Sequence, residues 1–233
     1  DFINATTKQI PSYAWDCTVP IVFYNNNKVQ HLGTGTLFRI ADYYFLITAA
    51  HVFKLANENN LSICIGGAQD GHFIGLKGES IVTSEGQYGS NEDLLDIGIH
   101  RLDQDAVSNL QKHKKFLHYD AIDFGNQSPT SIYTLFGFPE VWSTASTSDD
   151  EIVKYKALQY TTYQYDRNTS HLSEYQERFH ILLDSQIDKS FDFDAILVQP
   201  AHLAGNPTSI TNNLRGISGC SVWKIGDVTT PFD

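Results

Sequence analysis

Residues 45–53 read FLITAAHVF: an apolar run closing on two alanines, and then a histidine. The run is too short to cross a bilayer and has the length of one buried strand. Two residues as small as Ala49 and Ala50 leave room for the side chain of His51 to project into a cleft. The histidine therefore reads as a candidate general base, a role that needs an orienting acid and a nucleophile elsewhere in the chain.

Working outward, short β-rich runs alternate with turn clusters. Upstream lie PIVFYN (20–25) and VQHLGTGTLFRI (29–40). Downstream come LSICIGG (61–67), HFIGLK (72–77), SIVTS (80–84) and LDIGIHRL (95–102). Runs of this length and spacing suit an antiparallel barrel. DQDAVSNLQKHKK (103–115) is the only segment expected to be helical, and with the polar stretch to Thr130 it reads as a connector. Strands resume at SIYTLFGFP (131–139), IVKYKALQYTTYQY (152–165), RFHILLDSQ (178–186), DAILVQPA (194–201) and GCSVWKI (219–225). STASTSDDE (143–151) and DRNTSHLSEYQE (166–177) read as exposed loops. The expected organisation is an all-β chain with an N-terminal unit over residues 1–115 and a C-terminal unit over 116–233.

Composition narrows the function. The 233 residues are 41% hydrophobic and 18% charged, which is enough for a sizeable core or two. Net charge is −11 with no Lys/Arg cluster, against a nucleic-acid partner, which would need a basic face. No apolar run approaches the roughly 20 residues of a membrane span, and no leader pattern opens the sequence. Cys17, Cys64 and Cys220 are odd in number and irregularly spaced, fitting neither a zinc site nor a disulfide framework. A reducing, cytoplasmic setting is the simpler expectation, and the sequons at Asn4, Asn60, Asn126 and Asn168 matter only after secretion. Neither a cofactor nor a metal is expected.

The acid candidate is Asp96, heading the alternating strand of DLLDIGIHRL, where a carboxylate needs a donor such as a histidine N–H if it is to be buried. Asp93 is the alternative, with Asp96 then a strand-end cap. His31, His72, His100 and His171 read as surface or hydrogen-bonded histidines. The nucleophile candidate is Ser218 in LRGISGCSVW (214–223), set between two glycines ahead of an apolar strand. Alone that tetrad decides nothing.

TAAH, then DIGI, then GISG, in the order His, Asp, Ser, resembles the chymotrypsin/trypsin-like serine peptidase superfamily, whose chain order differs from that of other triad hydrolases. GTGTLFRI resembles the strand this superfamily places before its histidine, and LFGFP the strand that opens its second barrel. The resemblance spans most of residues 20–225. It implies two packed, six-stranded-type antiparallel barrels with the active site between them, a polypeptide substrate and an acyl-enzyme mechanism. It assigns His51 as base, Asp96 as the residue fixing its tautomer, and Ser218 as nucleophile. Gly216 and Ser218 would supply the oxyanion-hole amides, and Asn212 would floor the specificity pocket, without a carboxylate for Arg or Lys.

Departures from the digestive members are a missing cysteine after His51, Cys220 in place of their second glycine, and Ile217 in place of the aspartate that receives a cleaved N-terminus. They bring the chain closer to bacterial or intracellular members. Activation by N-terminal cleavage is not expected. The ITNNLRG loop would order on its own, on substrate, or on an activating partner or fused domain. Only fifteen residues follow Ser218, short of the strands that would complete the second barrel. Cys220 reads as a small core thiol. The competing function is a catalytically idle module that binds a peptide or protein; an esterase of another fold is disfavoured by the late position of the serine.

Overall fold

The structure is a computed structural model that describes residues 13–25, 28–66, 73–84, 95–124, 131–140, 144–145, 153–155, 157–165, 169–170, 175–176, 180–183 and 215–227. Eight strands form the first sheet: β1 (Thr18–Asn25), β2 (Lys28–Ile40), β3 (Tyr43–Ala49), β4 (Ile63–Gly66), β5 (Phe73–Gly75), β6 (Ser80–Val82), β7 (Ile97–Arg101) and β8 (Leu117–His118). Their order is β5-β4-β1-β2-β3-β7-β6, all antiparallel, with β8 added in parallel to β2. Residues two apart share a face, as period-two patterning requires, although β1 is buried on both faces from Thr18 to Val22. Val19 and Ile21 from β1, Leu37 from β2, Leu46 from β3 and Ile65 from β4 meet in one buried cluster, joined by Ile74 of β5 and Val82 of β6. Strands from both ends of the sheet share this core, so the sheet is curled.

Two helices close the cluster. The expected one is α2 (Gln104–Leu110), which starts where the Asp103 side chain accepts the Ala106 N–H at 2.7 Å. The other, α1 (Ala50–Glu58), corrects the expectation of a single helical segment. Its buried residues, Ala50, Val52, Phe53 and Ala56, repeat at helical rather than strand spacing. His51 therefore stands in the first turn of a helix, directly after the strand. A helical turn at 13–17 is a further departure.

The second sheet is β12 (Leu158–Tyr163), β9 (Ser131–Gly137) and β13 (Ser221–Asp227), with β9 central, and β10 (Thr144–Ala145) pairs with β11 (Val153–Lys154) beside it. The single run expected over 152–165 thus divides into β11 and β12. In the run expected at 178–186, the described residues contribute only a bridge from Leu183 to Gln164; 194–201 lies outside the described residues.

Between the sheets sits the helical turn. Ala14 packs with Phe136, Phe138 and Ala157, while Cys17 packs with Phe38 and Leu117; Trp223 touches both groups. The segment read as a polar connector helps lock this junction. Lys114 donates to the carbonyls of Trp15 (2.7 Å) and Thr18 (2.9 Å) and lies 4.7 Å from the centre of the Trp15 ring. No helix among the described residues is long and apolar enough to cross a membrane.

Candidate active site

Adjacent strands bring the base and acid candidates together. β3 pairs with β7 so that Ala49 lies opposite Ile97, which places the start of α1 beside Asp96. The helix has no side-chain cap of its own, since Ala49 precedes it. Asp96 supplies one from across the sheet: its carbonyl accepts the Ala50 N–H at 2.8 Å and its Oδ1 accepts the His51 N–H at 2.9 Å. Its other oxygen, Oδ2, lies 2.6 Å from His51 Nδ1. Asp96 holds this position with a φ of +44°, a left-handed conformation that aspartate tolerates better than most residues. A carboxylate also gains from lying at a helix N-terminus. Because an ionised carboxylate only accepts, the proton of a neutral His51 sits on Nδ1, leaving Nε2 as the basic nitrogen. The two side chains are 56% and 42% exposed, so a substrate can reach them. Asp93 lies outside the described residues.

Ser218 belongs to the turn 215–219 that leads into β13. Its carbonyl accepts the Thr34 N–H at 2.9 Å, tying the turn to β2. Gly219, at φ +82°, lies so close to the Thr34 carbonyl and to Thr48 that no β-carbon fits there. Thr48, which donates to the Thr34 carbonyl at 2.7 Å, stands three residues before His51. Ser218 is thus seated on the strand pair that carries the histidine. No hydrogen bond joins the Ser218 hydroxyl to the His51 ring.

Each of the turn's first three carbonyls has a partner. Arg215 accepts from Glu140 N–H at 2.7 Å, and Ile217 from Cys220 N–H at 2.8 Å. Gly216 accepts from the Thr34 hydroxyl at 2.9 Å and pairs with His31 Nε2 at 3.1 Å. Among the described residues, the N–H groups of Gly216, Ile217, Ser218 and Gly219 have no acceptor. Gly216 stands at φ +90° and Gly219 at φ +82°. Ile217 packs on β9, where its Cγ1 would lie 2.9 Å from a β-carbon at Gly137. Asn212 lies outside the described residues.

Sequence reasoning missed Thr34, Glu140 and the part-buried contact of His31 with the Gly216 carbonyl. The signal for Thr34 was present in GTGT, a polar, glycine-flanked strand centre. Cys220 is as expected a mostly buried thiol, its pKa pushed up to about 12 by burial. No cluster of three potential metal ligands exists among the described residues.

No protein-family model and no curated protein matches the chain. Among solved structures, Deg5 is similar over 97% of this chain and 82% of its own, with a TM-score of 0.51 and 8% identity. A thermostable serine protease, AL20, from an extremophilic microorganism matches 69% of this chain and 71% of its own, with a TM-score of 0.40 and 15% identity. The inactivated protease paralogue S-I1 of the scabies mite matches 94% and 90%, with a TM-score of 0.44 and 18% identity. With its curled first sheet and separate second sheet, the chain has the chymotrypsin-like double-barrel fold.

Proposed function

We propose that the chain is a serine endopeptidase in which His51 is the general base, Asp96 fixes its tautomer and Ser218 is the nucleophile. The observation that carries this reading is the double grip of Asp96 on His51, at 2.9 and 2.6 Å, beside a serine turn whose amides are free. Ser218 Oγ would attack the scissile carbonyl while Nε2 takes the hydroxyl proton. The resulting oxyanion would lie against the N–H groups of Gly216 and Ser218; one such donor contributes about 3 kcal/mol to the transition state. As the peptide C–N bond breaks, the imidazolium returns its proton to the leaving amine. Water, deprotonated by the same nitrogen, then releases the acyl group. A neutral Asn212 at the pocket floor would disfavour Arg and Lys before the cut.

The second reading, an idle module that binds a peptide, is favoured by the missing hydrogen bond between Ser218 and His51. In free enzymes such bonds are often long and tighten only with substrate. A fluorophosphonate probe separates the two. Under the peptidase reading it labels Ser218, labelling is lost in His51→Ala, and Ser218→Ala and His51→Ala each cut peptide hydrolysis by about 10⁴ to 10⁶. Folded but unlabelled wild-type protein would favour the binding module.

A further inference from the structure

We propose that His31 is a positioning residue for the oxyanion turn: it holds the 216–217 peptide by its Gly216 carbonyl, while Glu140 holds the 215–216 peptide by its Arg215 carbonyl, so that the Gly216 N–H between the two grips keeps one direction. The idea rests on the peptidase reading for its catalytic consequence, but its geometry stands independently.

His31 and Thr34 both bond to the Gly216 carbonyl, at 3.1 and 2.9 Å. On a regular strand, residues three apart point to opposite faces. Here β2 carries one extra residue: Ile21 pairs with Gly33 and Val22 with His31, so Leu32 is bulged out. The bulge restores the parity and lets both side chains converge on one oxygen, the re-aiming that bulges perform beside functional sites.

The ring is then confined. Tyr155 lies with its ring centroid 5.7 Å from that of His31, and a β-carbon on Gly216 would collide with the imidazole and come within 2.8 Å of Glu140 N. Nδ1 is buried without a hydrogen-bond partner among the described residues. Burial drives the His31 pKa down, against the opposing effects of the Gly216 and Phe138 backbones and the Glu140 carboxylate. The Phe138 backbone makes no hydrogen bond of ordinary geometry to the ring. A neutral ring with its proton on Nε2 can only donate there, and a carbonyl is the partner it has. Thr34 carries the restraint onward, since its hydroxyl also accepts the Phe138 N–H at 2.9 Å. On the other side of the peptide, Glu140 grips Arg215 through its N–H and through a 3.0 Å ion pair. The two peptides that flank the Gly216 Cα are thereby each held by their own carbonyl, 215–216 through Arg215 and 216–217 through Gly216.

The test uses His31→Phe, which keeps the ring's shape without the donor, and His31→Gln, which restores a donor. Arg215–Gly216 is the only Arg-Gly pair in the sequence, so ¹³C-carbonyl arginine with ¹⁵N-glycine marks the Gly216 amide alone. His31→Phe should shift that resonance and lower kcat about tenfold, a fraction of what losing an oxyanion donor outright costs, with KM unchanged. His31→Gln should return both towards wild type. A folded His31→Phe protein with an unmoved Gly216 resonance overturns the proposal, as does a moved resonance with wild-type kcat. If the wild type neither hydrolyses peptides nor reacts with the probe, the peptidase reading fails while the resonance still decides whether His31 positions the turn.

Discussion

The Asp96 carboxylate meets His51 twice, through Oδ2 at Nδ1 (2.6 Å) and through Oδ1 at the backbone N–H (2.9 Å), so one side chain orients the imidazole and caps the helix on which it stands. Activity and stability should therefore separate by substitution. Asp96→Asn keeps an oxygen for the cap and tolerates the left-handed backbone, but its amide can disturb the tautomer. The expected outcome is a stability within about 1 kcal/mol of wild type and a fall in kcat of about 10⁴. Asp96→Ala loses the cap and pays for φ +44°, and should cost about 1–3 kcal/mol as well as activity. Urea unfolding and steady-state kinetics on both variants check this; equal stability losses would break the double assignment.

Gly219 is where the turn that carries Ser218 touches β2 and β3 most closely. Its φ of +82° already disfavours a side chain, and Thr34 and Thr48 occupy the space a β-carbon would need. Both are backbone-anchored and cannot rotate away. Gly219→Ala should destabilise by about 3 kcal/mol or more and abolish labelling of Ser218. Gly75→Ala, on β5 with nothing within 4 Å of the added carbon, should stay within about 0.5 kcal/mol. Similar urea midpoints for the two variants would mean that the turn is not seated as described.

Acid should weaken the fold through two histidines. Burial lowers the pKa of His31, and likewise that of His100, which is 3% exposed and pairs with Ser80 Oγ at 3.1 Å. For both, the unfolded chain binds a proton more readily than the folded one, so stability rises with pH in that window. Their contribution is complete above the ordinary histidine value of about 6.5 and is lost as pH falls below it. The urea midpoint should drop between pH 7 and pH 5, and His100→Gln should remove part of that slope. A midpoint that is flat over this range would contradict the buried, neutral assignment.

His51 and Asp96 were each legible at the end of an apolar strand run, FLITAA and IGIHR, but their meeting was expected from the resemblance alone, since β4, β5 and β6 lie between the two strands in the chain. The helix after Ala50 was not legible. Its apolar residues continue the strand's run without a break, and its cap comes from Asp96, 45 residues away, so no local signal marks the start. His31 stayed hidden for a similar reason. As a hydrogen-bonded histidine it was anticipated, but its direction depends on the bulge at Leu32, which exists only in register with β1. Ser218, by contrast, was singled out by its flanking glycines and assigned by the His, Asp, Ser order, and in the structure Gly216 and Gly219 both adopt positive φ.

Lys114, read from the sequence as part of a polar connector, instead ends the helical turn at 13–17 by bonding the Trp15 and Thr18 carbonyls. Burial pulls its pKa down to about 8, opposed by the nearby Asp16 and Cys17. At neutral pH the ammonium is held at a cost of about 3 kcal/mol relative to the unfolded chain, set against two carbonyls that would otherwise lack a donor, at about 1–3 kcal/mol each. Lys114→Met removes both terms, so near pH 7 it should change stability modestly. Between pH 8 and 10 the unfolded lysine keeps its proton while the folded one releases it. Wild-type stability relative to the variant then grows with pH, and the amine still donates to both carbonyls. Urea unfolding of the pair at pH 7 and pH 10 should show the gap widening by about 3 kcal/mol; a constant or shrinking gap would place the ammonium in water rather than under Trp15.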